Sequence, residues 1–202
     1  MKQLLIATEN KGKVKEIQAL LDGLGLELHT PSSLGLSLKV VEDGADYAAN
    51  ASKKALAYCQ ASGLIALADD SGLEVDALGG APGLYSARYH PAANATDADR
   101  RAYLLENLRD KPRPWTAHFH ATVAVAVPGA PLELAVGECF GEIIPEERGD
   151  NGFGYDPIFL LAELGRTMAE LTMDEKNRLS HRARAVQNAR PILERVLGVT
   201  DR

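Results

Sequence analysis

Apolar residues fill Leu4 to Ala7 and then recur at Val14, Ile17, Leu20, Leu21 and Leu24. The run predicts a buried strand over Lys2 to Thr8, and the recurrence predicts a helix after the loop Glu9-Asn10-Lys11-Gly12. From about Asp46 to Ser62 an Ala-rich stretch carries Tyr47, Ala51, Ala55 and Tyr58 on one helical stripe, and Gly63 ends it. Leu64 to Ala68 reads as the next strand, which Asp69 and Asp70 close at a Ser71-Gly72 turn. The loop Gly79-Gly80-Ala81-Pro82-Gly83 runs on through Leu84 to Tyr89. Thr96, with Asp97 and Asp99 behind it, caps a helix to about Arg109. Thr116 to Val127 and Leu132 to Ile144 are two strands joined as a hairpin by Pro128-Gly129-Ala130-Pro131. Thr172-Met173-Asp174-Glu175 matches a capping box and starts a helix that carries Lys176. Pro191 should kink or interrupt the last helix, which runs to about Leu197. A β-α-β opening and a late hairpin imply an α/β fold, a mixed central sheet flanked by helices.

With 202 residues and 46% hydrophobic content, the chain can bury one sizeable core, so residues 1–202 are read as a single domain with room for two lobes. No internal repeat or linker breaks it. No stretch approaches the roughly 20 apolar residues of a membrane span, and the first apolar run is too short for a signal-peptide core. Cys59 and Cys139 belong to no Cys-x-x-Cys pattern, which argues against a disulfide framework or a zinc site. A cytoplasmic protein with no membrane partner is the expectation. The net charge of −6 argues against binding a nucleic-acid polymer. It leaves room for a small anion, because cations concentrate at Lys11, Lys13 and Lys15, at Lys53 and Lys54, and at Lys176, Arg178, Arg182 and Arg184.

Four groups of residues suit chemistry, and each has a plainer reading. Thr8-Glu9-Asn10-Lys11-Gly12-Lys13 lies between a strand and a helix start, where free N–H groups and the helix dipole favour phosphate. It lacks the Walker A pattern, and a Lys-rich helix start is common. Glu42, Asp69 and Asp70 supply oxygen ligands for Mg²⁺, which needs only one or two carboxylates beside substrate phosphates, and an adjacent carboxylate can deprotonate water. Equally, Glu42 can be an exposed loop acid and the paired aspartates a solvated strand end. Gly152-Phe153-Gly154-Tyr155-Asp156-Pro157 allows a ring to stack on a flat ligand, or is a turn with two core aromatics. Helical geometry throughout Lys176 to Arg184 would put Lys176, Ser180 and Arg184 on one face, with His181 and Arg182 beside it; such charged runs are usually solvated.

These motifs, in this order, resemble the inosine triphosphate pyrophosphatases, which hydrolyse non-canonical purine nucleoside triphosphates. The likeness runs from Ala7-Thr8-Glu9-Asn10-Lys11-Gly12-Lys13 through Ala68-Asp69-Asp70-Ser71-Gly72-Leu73 and Gly79 to Tyr89, then Gly152 to Phe159 and Ser180-His181-Arg182. The resemblance implies a two-lobed homodimer with a central substrate cleft. It implies hydrolysis of dITP, ITP and XTP to the monophosphate and pyrophosphate with Mg²⁺. By position, Thr8, Asn10 and Lys13 would hold the triphosphate within the Thr8 to Lys13 loop, which includes Glu9, Lys11 and Gly12, and Lys54 would assist. Glu42 and Asp70 would hold the metal, with Asp69 as a further candidate. Asp70 would accept the proton, and Ser71 would touch substrate. Phe153, Gly154, Tyr155, Asp156, Lys176, His181 and Arg182 would bind the nucleoside end.

One departure stands out. Where many members carry Phe-x-Glu-Asn-Ala, this chain has Tyr47-Ala48-Ala49-Asn50-Ala51, so the missing carboxylate at Ala49 puts more weight on Glu42. Two other readings of the residues remain: a Maf-like pyrophosphatase of modified or pyrimidine nucleotides, and a nucleotide-binding module without catalysis, which would have no use for paired carboxylates.

Overall fold

The apolar opening forms β1 (Lys2–Ile6), two residues shorter than the periodicity predicts. The computed structural model describes residues 2–199. Asn10 turns the chain into α1 (Lys11–Leu20): its backbone is extended and its Oδ1 accepts the Lys13 N–H at 3.1 Å. Asp46 does the same for α2 (Tyr47–Ser62), accepting the Ala49 N–H at 2.7 Å. Between them β2 (Leu26–His29) pairs in parallel with β1, and β1 pairs in parallel with β3 (Ile65–Val75).

The remaining elements are α3 (Asp97–Leu108), β4 (Trp115–Ala126), β5 (Glu133–Ile143), β6 (Phe159–Leu161), β7 (Arg166–Thr167), α4 (Met173–Leu179) and α5 (His181–Leu197). Thr96 and Thr172 start α3 and α4 as expected, and Asp99 completes at Thr96 a capping box like that of Thr172 and Glu175. The seven strands pair in the order β2-β1-β3-β4-β5-β6-β7, parallel at the β1 end and antiparallel from β5 to β7, a mixed sheet with helices.

Two compact units divide the chain. The first holds residues up to Asp70, Ala121–Gly137 and the chain from His181 onward. Alternation along its strands splits its core. Leu4, Ile6, Leu67, Val123 and Val125 pack with Ile17 of α1 and with Val186, Ala189 and Leu193 of α5. Leu5, Ala66, Ala68 and Ala124 pack instead with Ala51, Ala55 and Tyr58 of α2. The second unit, Ser71–His120 with Glu138–Ser180, gathers Leu73, Val75, Leu104, Leu108, Phe119, Ile158 and Phe159.

Two expectations need correction. Asp69 and Asp70 do not end a strand: β3 continues through Ser71 and Gly72 to Val75. The chain is not helical throughout Lys176 to Arg184, because Ser180 takes an extended conformation (φ −69°, ψ 157°) between α4 and α5. Lys176, Ser180 and Arg184 therefore share no single helix face. At Pro191, where a kink or an interruption is expected, α5 is not interrupted and runs to Leu197 as expected. Buried Val186, Ala189 and Leu193 on either side of the proline hold that helix to its sheet, and this packing outweighs the one N–H that proline cannot give. Among the described residues no helix is long and apolar enough to cross a membrane.

Candidate active site

Because β3 runs on through the aspartates, its two-residue alternation sends their side chains to opposite faces. Asp69 continues the Leu67 row, toward α1 and α5. It is fully buried, pairs with the Lys13 ammonium, and lies 3.2 Å from Nε of Arg182. Arg182 in turn lies 2.5 Å from Glu16, and both are 2% exposed. Burial alone would raise the Asp69 carboxyl, yet the charges of Arg182 and Lys13 outweigh it and hold the group well below the usual carboxylate range. Both Asp69 oxygens thus face cations that the chain itself supplies. That arrangement suits a buried charge support and does not suit the metal ligand that the motif alone suggests.

Asp70 continues the Ala66 and Ala68 row, toward α2. Its Oδ1 lies 3.4 Å from Nζ of Lys54, which also lies 3.1 Å from Oε1 of Glu42. Burial pushes Asp70 up; Lys54 and Lys13 oppose the rise, Glu42 adds to it, and the net direction is upward. Asn50, a buried residue just past Ala49, hydrogen-bonds Asp70 and accepts the Gly44 N–H at 2.7 Å. Through Gly44 it ties down the loop that carries Glu42. Lys54 and Lys13 also meet at one atom, the Asp69 carbonyl oxygen, at 2.8 and 3.5 Å. Two ammonium groups and two carboxylates are thereby interleaved within one unit.

The Thr8 to Lys13 loop borders this cluster through Lys13. Thr8 Oγ1 accepts the Asn10 N–H at 3.2 Å and Asn10 caps α1, so both side chains shape the loop itself. Glu9 and Lys11 are exposed and Gly12 is half-buried. Burial lowers the Lys13 ammonium below its ordinary value, with Asp69 opposing that shift. His181 is buried at the start of α5, next to Arg182.

The other predicted residues lie in the second unit. Ser71 follows Asp70 on β3. Lys176 and Asp156, each 3% exposed, form an ion pair at 2.5 Å, and the Lys176 ammonium sits 5.1 Å from the Phe153 ring centroid. Asp156 also accepts the Phe153 N–H at 2.8 Å. Tyr155 is buried and donates its hydroxyl to the Ser86 carbonyl at 2.8 Å, so it serves the loop as an anchor. Gly152 allows this packing: a Cβ there would come within 2.0 Å of Asp156 Oδ2.

Glu16 and Asn50 also belong to the first cluster; Asn50 is the retained Asn of the Tyr47 to Ala51 segment, whereas Glu16 does not stand out in the sequence. Glu16 stands three residues after Lys13 on the same helix face, a faint signal. Its partner Arg182 is 166 positions away, beyond any local pattern. Among the described residues no group of three or more His, Cys, Asp or Glu side chains converges as a metal cage. Two carboxylates around one ammonium still fit a hard divalent cation, which keeps several waters and draws its remaining oxygens from phosphates.

Fold and site together define an α/β protein with a carboxylate–ammonium centre built on its third strand and first two helices. The chain belongs to the Ham1 family, which its residues 4–192 match. It is 48% identical over 187 residues to the dITP/XTP pyrophosphatase of Geobacter sulfurreducens, covering 92% of this chain and 94% of that one. It is 46% identical to the dITP/XTP pyrophosphatase of Desulfotalea psychrophila, covering 91% and 81%. A Ham1 protein structure from Coxiella burnetii superposes with a TM-score of 0.86 at 38% identity, covering 96% of this chain and all of that one.

Proposed function

We propose that this protein is a nucleoside-triphosphate pyrophosphatase that hydrolyses dITP, ITP and XTP to the monophosphate and pyrophosphate, clearing them from the nucleotide pool. The observation that carries the reading is the interleaving of Lys13 and Lys54 with Asp70 and Glu42. Ammonium groups neutralise phosphate oxygens, and carboxylates beside them suit a divalent cation and a water nucleophile. Its relatives' names point to two of these substrates, dITP and XTP.

Asp70 and Glu42 would hold Mg²⁺, which when bound neutralises phosphate charge and acidifies water. Asp70 accepts the proton of a water attacking the α-phosphorus. The bond from that phosphorus to the bridging oxygen breaks, and pyrophosphate leaves with the electron pair. Lys13 and Lys54 stabilise the charge on the departing group, while the Thr8 to Gly12 backbone and the α1 N-terminus receive phosphate oxygens. Asp69, Arg182 and Glu16 keep Lys13 in position.

Phe153, Gly154, Asp156 and Lys176 take the nucleoside end, with Ser71 and His181 as further contacts. Donors set for a 6-oxo group meet the wrong partner in adenine, and such sites discriminate by about 10⁴-fold. The working form we propose is a cytoplasmic homodimer, which light scattering on the purified protein tests.

Incubation with dITP and Mg²⁺ followed by product identification tests the reaction. The expected products are dIMP and pyrophosphate. Formation of dIDP and phosphate contradicts attack at the α-phosphorus, and faster turnover of dTTP than of dITP favours the Maf-like reading instead.

A further inference from the structure

We propose that Asp97 and Arg101 of α3 are positioning residues that set the Phe153-Gly154-Tyr155 loop for purine discrimination; the proposal rests on the reading of that loop as the nucleoside site. Gly154 is gripped at both its polar groups. Its N–H donates to Asp97 Oδ2 at 2.8 Å, and its carbonyl accepts from Arg101 Nη1 at 2.8 Å. Each gripping side chain is itself held. Arg101 donates from Nε and Nη2 to the two oxygens of Glu147, both at 2.8 Å. Asp97 gives its other oxygen to Arg100, which also donates to the Ala95 carbonyl at 2.7 Å.

Asp97 is the first residue of α3, where the helix dipole favours a carboxylate, and the Thr96/Asp99 capping box fixes that turn. The grip falls on a residue of the loop with open space beside it. Gly154 has φ +63°, and no neighbour lies within 4 Å of where its Cβ would be, so packing alone does not hold it. Its neighbours are tied separately, Phe153 through Asp156 and Tyr155 through Ser86. The α3 clamp therefore fixes the peptide from which the Phe153 ring projects. A ring placed before ligand arrives costs less ordering entropy on binding, and small misplacements degrade recognition steeply.

The experiment compares dITP and dGTP kinetics in Asp97→Ala, Arg101→Ala and Phe153→Ala. The two clamp variants are expected to raise KM for dITP about tenfold with kcat within about twofold, and to lower the dITP to dGTP ratio of kcat/KM about tenfold. Asp97→Asn, whose amide oxygen can still accept the Gly154 N–H while its NH2 loses the Arg100 bond, should restore the ratio in part. Glu147→Ala, at a half-exposed site, should loosen Arg101 and raise KM about threefold even if alanine at position 101 prevents folding. A merely structural role lowers the melting temperature or the active fraction and leaves KM and the ratio unmoved; that outcome overturns the clamp if Phe153→Ala still changes both. No effect of Phe153→Ala on either overturns the nucleoside reading of the loop itself.

Discussion

Asp69 and Asp70 are adjacent in sequence yet stand on opposite faces of one strand, the first bonded to Arg182 at 3.2 Å and the second 3.4 Å from Lys54. Their repulsion is relieved by separation and by separate cations. The two should therefore fail differently. Asp69→Asn deprives Lys13 of its carboxylate partner and leaves the buried guanidinium of Arg182 with Glu16 alone. Breaking such a pair from one side costs about 3 kcal/mol, a fall in melting temperature of roughly 10 °C for a domain this size. Differential scanning calorimetry of the variant checks it, and an unchanged transition would remove Asp69 from the supporting role.

Asp70→Asn keeps the shape, and its amide still accepts from Lys54, so stability should change by less than about 1 kcal/mol. Turnover of dITP should be abolished while nucleotide binding stays measurable by calorimetric titration, because the amide cannot take the proton. Near-normal turnover would exclude Asp70 as the base.

Much of this architecture is legible because it is local. The Thr96/Asp99 and Thr172/Glu175 boxes need only residues three apart, and the Ala51, Ala55 and Tyr58 stripe needs one helix. The strand ending assigned at Asp69 and Asp70 fails for a long-range reason: Arg182, 113 positions later, offsets the burial of a carboxylate that looked too costly for a strand interior. β2, β6 and β7 have four, three and two residues, too few for a periodic signal. Of the site, the lysines and Asp70 can be read from motif position. Glu16, Asn50, Asp97 and Arg101 act through contacts that only the folded chain creates.

Glu42 shares Lys54 with Asp70 at 3.1 Å, and Ala49 offers no carboxylate beside them. Glu42→Gln should raise the Mg²⁺ concentration for half-maximal dITP hydrolysis at least about tenfold, since even outer partners of metal ligands cost that much. Saturating Mg²⁺ should recover most of the rate. A Mg²⁺ titration that superposes on that of the unaltered enzyme would assign Glu42 to Lys54 alone.

Gly152→Ala brings a methyl group within 2.0 Å of Asp156 Oδ2 and 3.1 Å of Lys176 Nζ, at a residue whose φ is +77°. The backbone is strained and the buried ion pair must open. KM for dITP should rise by roughly tenfold or more, whereas the phosphate-end cluster, lying in the other unit, keeps its affinity for pyrophosphate as a product inhibitor. Parallel loss of both affinities would show that the substitution unfolds more than its own loop.

Glu175 closes the α4 cap: it accepts the Thr172 N–H at 2.9 Å and pairs with Arg166 at 2.7 Å. The Arg166 hydrogen bonds, followed by the cap, depress its carboxyl from 4.5 to about 2. A group whose folded pKa is depressed contributes stability that is present above its unfolded value and is lost as pH falls through its folded value. The contribution is thus complete at neutral pH and declines between about pH 4.5 and pH 2. Solvent exposure and salt screen this pair, so the effect should shrink in high salt. A carboxyl-detected NMR titration should give Glu175 a midpoint well below the ordinary glutamate value of 4.5, and Arg166→Gln should move it upward. A midpoint already at the ordinary glutamate value would mean that the cap holds α4, and Lys176 with it, without help from the arginine.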